Sequence, residues 1–390
     1  MSKRSIFLAV LLLTLQTAAQ EPAAAQTNGP VVHFGEISTL HSKILGEDRP
    51  YWIYLPRSYK PTPDHAPQKY PVLYLLDGES QFSFASELVQ FMSDSLQIPE
   101  LIVVAIPNTD RMRDLTPTHN PSDASSGGGE LFEKFLSEEL IPKIDTQLRT
   151  APYRILAGHS LGGVLVADAF LRQRNVFHGY IAVDPALWWD HEIIIQRARE
   201  FPKTNSSPKA FFIATANHPH SLVDTNSSIK AASERFTSAL RTNTPSTIHI
   251  GYHYFENEDH GSSRLPGLHD GLLFIFENYK STNFYALDQP SLIGDHFRTL
   301  SNRLGYDVQP PEAFVDQIAF GLLSAHEIDK AIDCFKLNAT NYPHSAQVYK
   351  NLADAYLAKG DKDSAIQNYD EALALNPNMT SAEEALKKLK

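Results

Sequence analysis

Five consecutive residues, Gly158-His159-Ser160-Leu161-Gly162, carry the side chain in this chain that is best placed for nucleophilic chemistry. The apolar run Tyr153 to Ala157 precedes them and the run Val164 to Phe170 follows, a pattern that predicts a strand, a sharp turn and a helix. Such a turn exposes a serine hydroxyl at its tip, and glycine at positions 158 and 162 avoids collisions with neighbouring backbone. We predict that Ser160 is a nucleophile. The simpler alternative is a glycine-rich turn between a strand and a helix.

An oxyanion formed beside Ser160 would need hydrogen-bond donors, and the first turn of the predicted helix has unpaired N–H groups that point toward it. The Leu161 N–H is the first expected donor. The second should come from the loop after the apolar run Tyr70 to Leu76, at Gly78 or Glu79.

A serine hydroxyl is a poor nucleophile until a base accepts its proton, so a histidine should follow later in the chain. His260 is the best choice because it lies in Glu258-Asp259-His260-Gly261-Ser262, directly after the last predicted strand. His253 lies inside that strand, whereas His218, His220 and His269 lack a position at the end of a strand. The alternative for His260 is an ordinary surface histidine.

An acid that orients the histidine is expected after the strand Ala210 to Ala216. Asp224 is the only acid between that strand and the next predicted helix. Glu258, two residues from His260, is the rival, and Glu256 lies further back on the strand. A helix N-cap would explain Asp224 equally well, so the third member stays open.

Composition excludes several classes of function. The sequence has no zinc-binding pattern, and His218-Pro219-His220 has no carboxylate or cysteine at ligand spacing, so we expect neither a metal nor any other cofactor. A formal net charge of −11 argues against nucleic acid or an anionic membrane as partner. Cys334 is the only cysteine, so the chain cannot form an internal disulfide.

Strands and helices are predicted to alternate between residues 31 and 280. A hairpin is expected around Gly46-Glu47-Asp48, followed by continuous apolar runs that are typical of buried parallel strands, the last of them at Ile248 to Phe255. Between these runs we expect a helix at 82–95 and a long polar loop at 108–129. Alternation of this kind indicates an α/β fold with a mostly parallel sheet covered on both faces. Ligands then bind at the carboxyl ends of the strands, where Gly78, Ser160 and His260 are all expected.

The first 25 residues have the layout of a secretory signal peptide. Lys3 and Arg4 precede the apolar run Ile6 to Leu15, and small residues follow at Ala18-Ala19 and Ala23-Ala24-Ala25. The apolar run is too short to cross a bilayer comfortably. We therefore expect export to the periplasm or outside the cell after cleavage, with an uncleaved anchor as the alternative.

Residues 310–390 contain two copies of a helical repeat, joined to the first domain by a helical linker, residues 281–309, with a helix at 291–304. The period is 34 residues, that of tetratricopeptide repeats, and a short capping helix ends the chain. Because two repeats are fewer than independent stability usually requires, the pair should pack on the linker helix and the first domain. It could serve as a surface for peptide docking or self-association, or only as a structural buttress. The matched pairs are Ala319 and Ala353, Ala331 and Ala365, Ile332 and Ile366, Phe335 and Tyr369, and Pro343 and Pro377.

Several stretches outside the turn at Gly158 to Gly162, which we call the elbow, carry a family resemblance. Together with the elbow, residues 31–280 resemble the esterase D and enterochelin-esterase-like branch of the α/β-hydrolases, and the order of hydrolase followed by repeats is similar to exported bacterial esterases. The stretches are Tyr70-Pro71-Val72-Leu73-Tyr74-Leu75-Leu76-Asp77-Gly78, Arg111-Met112-Arg113-Asp114-Leu115-Thr116-Pro117, Asp184-Pro185-Ala186-Leu187-Trp188-Trp189 and His260-Gly261-Ser262.

The resemblance implies serine-dependent hydrolysis of carboxylic esters, with Ser160 as nucleophile and His260 as base. It also implies that Arg111, Arg113 and the pair Trp188-Trp189 lie near the pocket mouth, where the plainer alternatives are a salt-bridged loop and a packed aromatic lid. Some members of the branch work with a Ser-His dyad, which leaves the acid open. Siderophore, feruloyl, acetyl and thioester substrates all occur in the branch.

The sequence therefore predicts an exported serine hydrolase that cleaves a small-molecule ester through an acyl-enzyme. One alternative is an acyltransferase on the same scaffold, in which an alcohol replaces water. The other is a repeat-bearing binding protein whose hydrolase domain is vestigial.

Overall fold

The computed structural model describes residues 35–390 apart from 61, 63, 66, 173–174, 202–206, 218–225 and 282. The predicted signal peptide and Asp224 lie outside the described residues. Within them, no helix is both long and apolar enough to cross a membrane.

One sheet of eight strands, counted over the described part of the chain, organises the first domain. Its order is β1-β2-β4-β3-β5-β6-β7-β8; β1 and β2 form the predicted antiparallel hairpin, β2 pairs antiparallel with β4, and the other neighbours are parallel. The predicted α/β fold with a mostly parallel sheet is confirmed. The strands are β1 (Glu36–Ser42), β2 (Glu47–Tyr54), β3 (Tyr70–Leu76), β4 (Ile102–Ile106), β5 (Thr150–His159), β6 (Gly179–Val183), β7 (Lys209–Ala216) and β8 (Ile248–Phe255).

Helices cover both faces of this sheet. The helices of the first domain are α1 (Gly78–Asp94), α2 (Arg111–Leu115), α3 (Gly129–Phe135), α4 (Ile141–Gln147), α5 (Leu161–Leu171), α6 (Trp189–Arg199), α7 (Asn226–Asn243) and α8 (Arg264–Ile275), and the linker contains α9 (Pro290–Leu304). A π-helical turn, Leu136–Leu140, joins α3 to α4. Short 3₁₀ turns occur at Arg57–Tyr59 and Phe284–Ala286.

The central strands are apolar along their whole length because both of their faces are buried. In β3, Val72, Tyr74 and Leu76 belong to one hydrophobic core, and Leu73 and Leu75 belong to the core on the other face. Side chains alternate between the faces of a strand, so a strand between two helical layers must be apolar at every position. Because β3 to β8 are parallel, their carboxyl ends lie at the same edge of the sheet, and the loops after β3, β5, β6 and β8 come together there.

The C-terminal module consists of two helical pairs and a last helix, and it packs on the first domain as predicted. Phe297 of α9 meets Phe314 of the first repeat with ring centroids 4.9 Å apart. The loop between β2 and β3 also contacts the second repeat, since the Asp64 side chain accepts a hydrogen bond from Asn376 Nδ2 at 2.8 Å. These helices are α10 (Glu312–Ser324), α11 (Ile328–Asn341), α12 (Ala346–Lys359), α13 (Lys362–Leu375) and α14 (Thr380–Leu389).

Two predicted boundaries were wrong for local reasons. The helix predicted at 82–95 begins at Gly78, because Asp77 adopts a left-handed conformation (φ 52°) that turns the chain directly from β3 into the helix. The loop predicted at 108–129 contains α2, whose first turn is capped by Asp110: its side chain accepts a hydrogen bond from the Arg113 N–H at 3.0 Å.

Candidate active site

Ser160 lies at the predicted elbow between β5 and α5. Its backbone has φ 59° and ψ −118°, a strained conformation for a residue with a side chain. The turn is fixed on both sides: the Ser160 N–H donates to the Val183 carbonyl at 3.0 Å, and the Ala186 N–H donates to the Ser160 carbonyl at 3.2 Å. Glycine is required at 158, because a Cβ there would lie 2.5 Å from the carbonyl carbon of Gly162. The sequence thus builds a rigid turn that presents a serine.

The side chain of His260 contacts Asp184. Its Nδ1 lies 2.5 Å from Asp184 Oδ2, and the carboxylate is fully buried whereas 46% of the histidine side chain is exposed. The other carboxylate oxygen, Oδ1, accepts a hydrogen bond from the Ala216 N–H at 2.9 Å. Since an ionised carboxylate only accepts hydrogen bonds, it holds the proton on Nδ1 and directs Nε2 away from itself.

The sheet brings Ser160 and this histidine–aspartate pair to one place. His159 and Val183 are register partners in the parallel strands β5 and β6, so Ser160 and Asp184 are the next residues of adjacent strands. The His260 ring packs on the ring of His159, with centroids 4.3 Å apart. The two residues predicted as nucleophile and base therefore lie at the same edge of the sheet.

Sequence reasoning missed Asp184 as the partner of His260. It placed the acid after β7, at Asp224, which lies outside the described residues. Glu258, the rival, contributes its backbone carbonyl to the Asn217 N–H at 2.9 Å, while the His260 Nδ1 is directed at Asp184. A signal was available: Asp184 directly follows a fully buried strand and lies between Ser160 and His260 in the chain.

The two predicted oxyanion donors both begin helices next to the elbow. Leu161 is the first residue of α5, and Gly78 is the first residue of α1. A Cβ at position 78 would lie 2.8 Å from the Ile106 nitrogen, so only glycine fits there. The end of β3 lies against the end of β5. Asp77 Oδ2 is only 3.2 Å from the position that a Cβ on Gly162 would occupy.

Arg111 lies at this junction in an ion pair with Asp77. Its Nε and Nη2 donate to the two carboxylate oxygens at 2.6 and 3.0 Å, and this pairing raises the pKa of the arginine. Nη2 also donates to the His159 carbonyl at 3.4 Å. The guanidinium is thus fixed beside the elbow while its side chain stays partly exposed.

Arg113 and Trp188 have different surroundings. Arg113 donates to Glu47 at 2.6 Å and to the buried Asp114 at 2.7 Å, which is the salt-bridged loop that the sequence left as an alternative. The hydrogen bond from Arg113 is the main reason that the pKa of Glu47 falls to about 2. Trp188 is 55% exposed, four residues after Asp184, beside the buried Trp189. Arg111 therefore lies beside the elbow and Arg113 is held in an ion network, while a position of Trp188 near the pocket mouth stays a prediction.

The side chains of His159, Asp184 and His260 bring ligand-type atoms within 4.8 Å of one another. Two of their nitrogens are already engaged in hydrogen bonds, Nδ1 of His260 with Asp184 and Nε2 of His159 with the His260 backbone carbonyl. A metal ion in this position would have to displace both protons.

Burial of two histidines makes stability depend on pH. Burial lowers the pKa of both His159 and His178 to about 4, with the charge of His260 adding to the effect at His159. Each unfolded histidine titrates near 6.5, so the unfolded chain binds more protons and the native state loses stability as pH falls from about 6.5 to 4. Burial of Asp316, which raises its pKa to about 7, acts in the opposite direction over the same range.

We expect His178→Gln to be less stable than the wild type at pH 8, and the difference in free energy of unfolding to shrink by about 2 kcal/mol at pH 5. The difference shrinks because the wild type loses stability as pH falls, since its His178 ring must stay uncharged in the native state. The glutamine variant lacks this titrating group. Urea unfolding of both proteins at the two pH values measures this. Replacement of the exposed His249 on β8 by glutamine is the matched control, because it removes a histidine without removing a ring from the interior. A constant difference for His178→Gln would contradict the prediction.

Comparison with known proteins gives consistent matches. The family model described as "Putative esterase" matches residues 42–219, and a tetratricopeptide-repeat model matches residues 346–379. The ferri-bacillibactin esterase BesA of Bacillus subtilis is 30% identical over 222 residues, which are 50% of this chain and 76% of BesA. The siderophore enterobactin esterase of Emericella nidulans is 28% identical over 185 residues, 40% of this chain and 59% of that protein.

A solved structure extends the similarity beyond the esterase match. An IroE-like serine hydrolase from Shewanella oneidensis has 32% sequence identity and a TM-score of 0.69, covering 78% of this chain and 99% of its own. The siderophore hydrolase EstB from Aspergillus nidulans, at 21% identity and a TM-score of 0.56, shares the fold.

Proposed function

We propose that this chain, which belongs to the esterase family of the α/β-hydrolases and is a carboxylic-ester hydrolase, is an exported serine enzyme that cleaves a siderophore ester through an acyl-enzyme. The observation that carries the proposal is the 2.5 Å contact between His260 Nδ1 and Asp184 Oδ2 beside the Ser160 elbow. In this arrangement a buried carboxylate fixes the tautomer of a partly exposed imidazole, which is what a general base for serine needs.

The chemistry follows from these positions. His260 accepts the Ser160 proton as Oγ attacks the ester carbonyl, and the N–H groups of Leu161 and Gly78 stabilise the oxyanion. The protonated imidazole is stabilised by Asp184 and gives its proton to the leaving alcohol. Water, activated in the same way, then attacks the acyl-enzyme and releases the acid.

The choice of a siderophore ester is supported by the relatives and by the rim of the site. Two curated relatives are named as esterases of bacillibactin and enterobactin siderophores. Trp188, with 55% of its surface exposed, offers a flat apolar face, and the Arg111 guanidinium lies partly open beside the elbow. Aromatic and anionic groups on a substrate would find complementary partners there.

Export and the role of the repeats complete the proposal. The composition of residues 1–25 supports a cleaved leader and a periplasmic or extracellular enzyme. The repeats brace the hydrolase: the Asp64 carbonyl accepts hydrogen bonds from Ser345 Oγ at 2.6 Å and from the Gln347 N–H at 3.2 Å. Contact with another protein, or with a second copy of the chain, through the repeats stays a prediction.

The test combines labelling with a substrate panel. A fluorophosphonate should label Ser160, identified by peptide mass, and block hydrolysis of p-nitrophenyl acetate in proportion to labelling. The same protein should then be assayed with catecholate siderophore esters, feruloyl esters and acetylated sugars, with and without an added alcohol acceptor. Absence of Ser160 labelling would refute the serine mechanism. Preference for a non-siderophore ester would refute the proposed substrate class, and transfer to the alcohol in place of hydrolysis would make the enzyme an acyltransferase.

A further inference from the structure

We infer that His159 is a positioning residue for His260: its imidazole ties the loop that carries the base to the strand that carries the nucleophile. The inference rests on the proposed roles of Ser160 and His260. It adds a function for the second residue of the elbow, whose side chain takes no part in the proposed reaction.

The contact itself is short and directional. His159 Nε2 lies 2.6 Å from the backbone carbonyl oxygen of His260. A carbonyl only accepts hydrogen bonds, so Nε2 must carry the proton and donate it. The two imidazole rings also pack together, with centroids 4.3 Å apart and planes at 41°. One buried side chain therefore contacts both the backbone and the ring of His260.

The charge state of His159 suits this role. Its side chain is buried, and burial together with the nearby His260 lowers its pKa to about 4. The ring is therefore neutral near pH 7 and has one N–H, which is engaged by the His260 carbonyl. With its only proton committed to this bond, the ring holds the loop without adding a second positive charge beside the base.

The end of β7 also holds this loop, because the Asn217 N–H donates to the Glu258 carbonyl at 2.9 Å, two residues before His260. The turn around it is shaped from within: Asp259 Oδ1 accepts from the N–H groups of Gly261 and Ser262 at 2.8 Å, and Ser263 Oγ donates to the His260 carbonyl at 3.2 Å. These bonds join residues at most three positions apart, so they set the shape of the turn and not its place on the domain. Asp184 holds only the ring of His260, and 46% of that side chain is exposed.

His159 is the last residue of β5 and directly precedes Ser160. Its hydrogen bond therefore fixes the position of the base relative to the nucleophile. Proton transfer requires the two groups within about 3 Å, and a displacement of about 1 Å can cost roughly 100-fold in rate. Loss of this bond should therefore slow the chemical step and leave substrate binding largely intact.

The experiment compares three substitutions of His159 with p-nitrophenyl acetate as substrate. His159→Leu removes the donor, and His159→Asn has an amide too short to reach the carbonyl, so both should lower kcat by about 10- to 100-fold with KM changed by less than about threefold. His159→Gln places an amide nitrogen near the position of Nε2 and should recover at least about fivefold in kcat over His159→Leu. The rate of Ser160 labelling by a fluorophosphonate should follow the same order.

Active-site titration, the melting temperature and a control variant separate effects on folding from effects on the chemical step. His178→Leu removes another histidine, a half-buried one whose ring stacks on Tyr153 away from the elbow, and should lower the melting temperature while keeping the wild-type kcat. Equal losses of kcat for the Gln, Asn and Leu variants, or a kcat of His159→Leu within twofold of the wild type, would overturn the inference while the wild type stays active. A wild-type protein without Ser160-dependent hydrolysis would instead refute the proposed function.

Discussion

Replacement of Ser160 by alanine is expected to lower kcat/KM for p-nitrophenyl acetate by about 10⁴-fold or more while the protein stays folded. The reason is that no acyl-enzyme can form once the hydroxyl is gone, and His260 then has only water to deprotonate. The substitution removes one oxygen from a half-buried side chain, so the melting temperature should change by only a few degrees. Steady-state kinetics and thermal unfolding measure the two quantities.

The matched control is Ser324→Ala, which removes an exposed hydroxyl from α10 that donates to the Phe320 carbonyl at 2.9 Å. It should keep wild-type activity and bind the fluorophosphonate normally. A Ser160→Ala protein that retains the activity of this control would show that another residue carries the nucleophile. Loss of activity together with loss of the cooperative melting transition would only report unfolding, which is why both measurements are needed.

Most of the sheet could be predicted because buried parallel strands have an unusual composition. β3 and β8 begin and end at the predicted residues, since their apolar runs are bounded by polar or turn-forming residues. The elbow at Ser160 was predicted for a similar reason: a glycine-flanked serine between two apolar runs fits few other structures. The hairpin, the α/β class and the packing of the repeats on the linker helix were predicted equally well.

The sequence offers Asp184 as a candidate partner of His260 but cannot choose between it and Asp224, because the choice depends on which strands are neighbours. Sequence order places both Asp184 and Asp224 between nucleophile and base, and nothing in the local pattern states which loop reaches the histidine. In the structure, β6 lies directly beside β5, so the residue after β6 is adjacent to Ser160. Strand order in the sheet, a property of the whole fold, decided the answer.

Polar contacts between residues far apart in the chain could not be predicted from the sequence either. Asp64 and Ser345 are hydrogen-bonded although 281 positions separate them, and Arg111 reaches Asp77 across 34. A sequence shows that these residues are polar but not that they meet. Arg113 was predicted either near the pocket mouth or in a salt-bridged loop. The structure agrees with the salt-bridged loop, since Glu47, on a strand 66 positions earlier, binds its guanidinium.

Asp184→Asn is expected to lower kcat by about 10³- to 10⁴-fold with little change in KM. An asparagine side chain can turn its NH₂ group toward His260 Nδ1, which then becomes an acceptor and places the ring proton on Nε2. In that tautomer the imidazole cannot accept a proton from Ser160. The amide oxygen can still accept the Ala216 N–H, now bonded at 2.9 Å, so the strand ends should stay in place.

The comparison that decides between the two acids is Asp224→Asn, assayed beside Asp184→Asn with the same ester and with melting curves for both. We expect kcat of Asp224→Asn to stay within about threefold of the wild type, because the single proton on His260 Nδ1 is already directed at Asp184. The reverse result, a large loss for Asp224→Asn and near-normal turnover for Asp184→Asn, would restore the acid predicted from the sequence. Asp184 would then serve only to anchor the end of β7 through the Ala216 N–H.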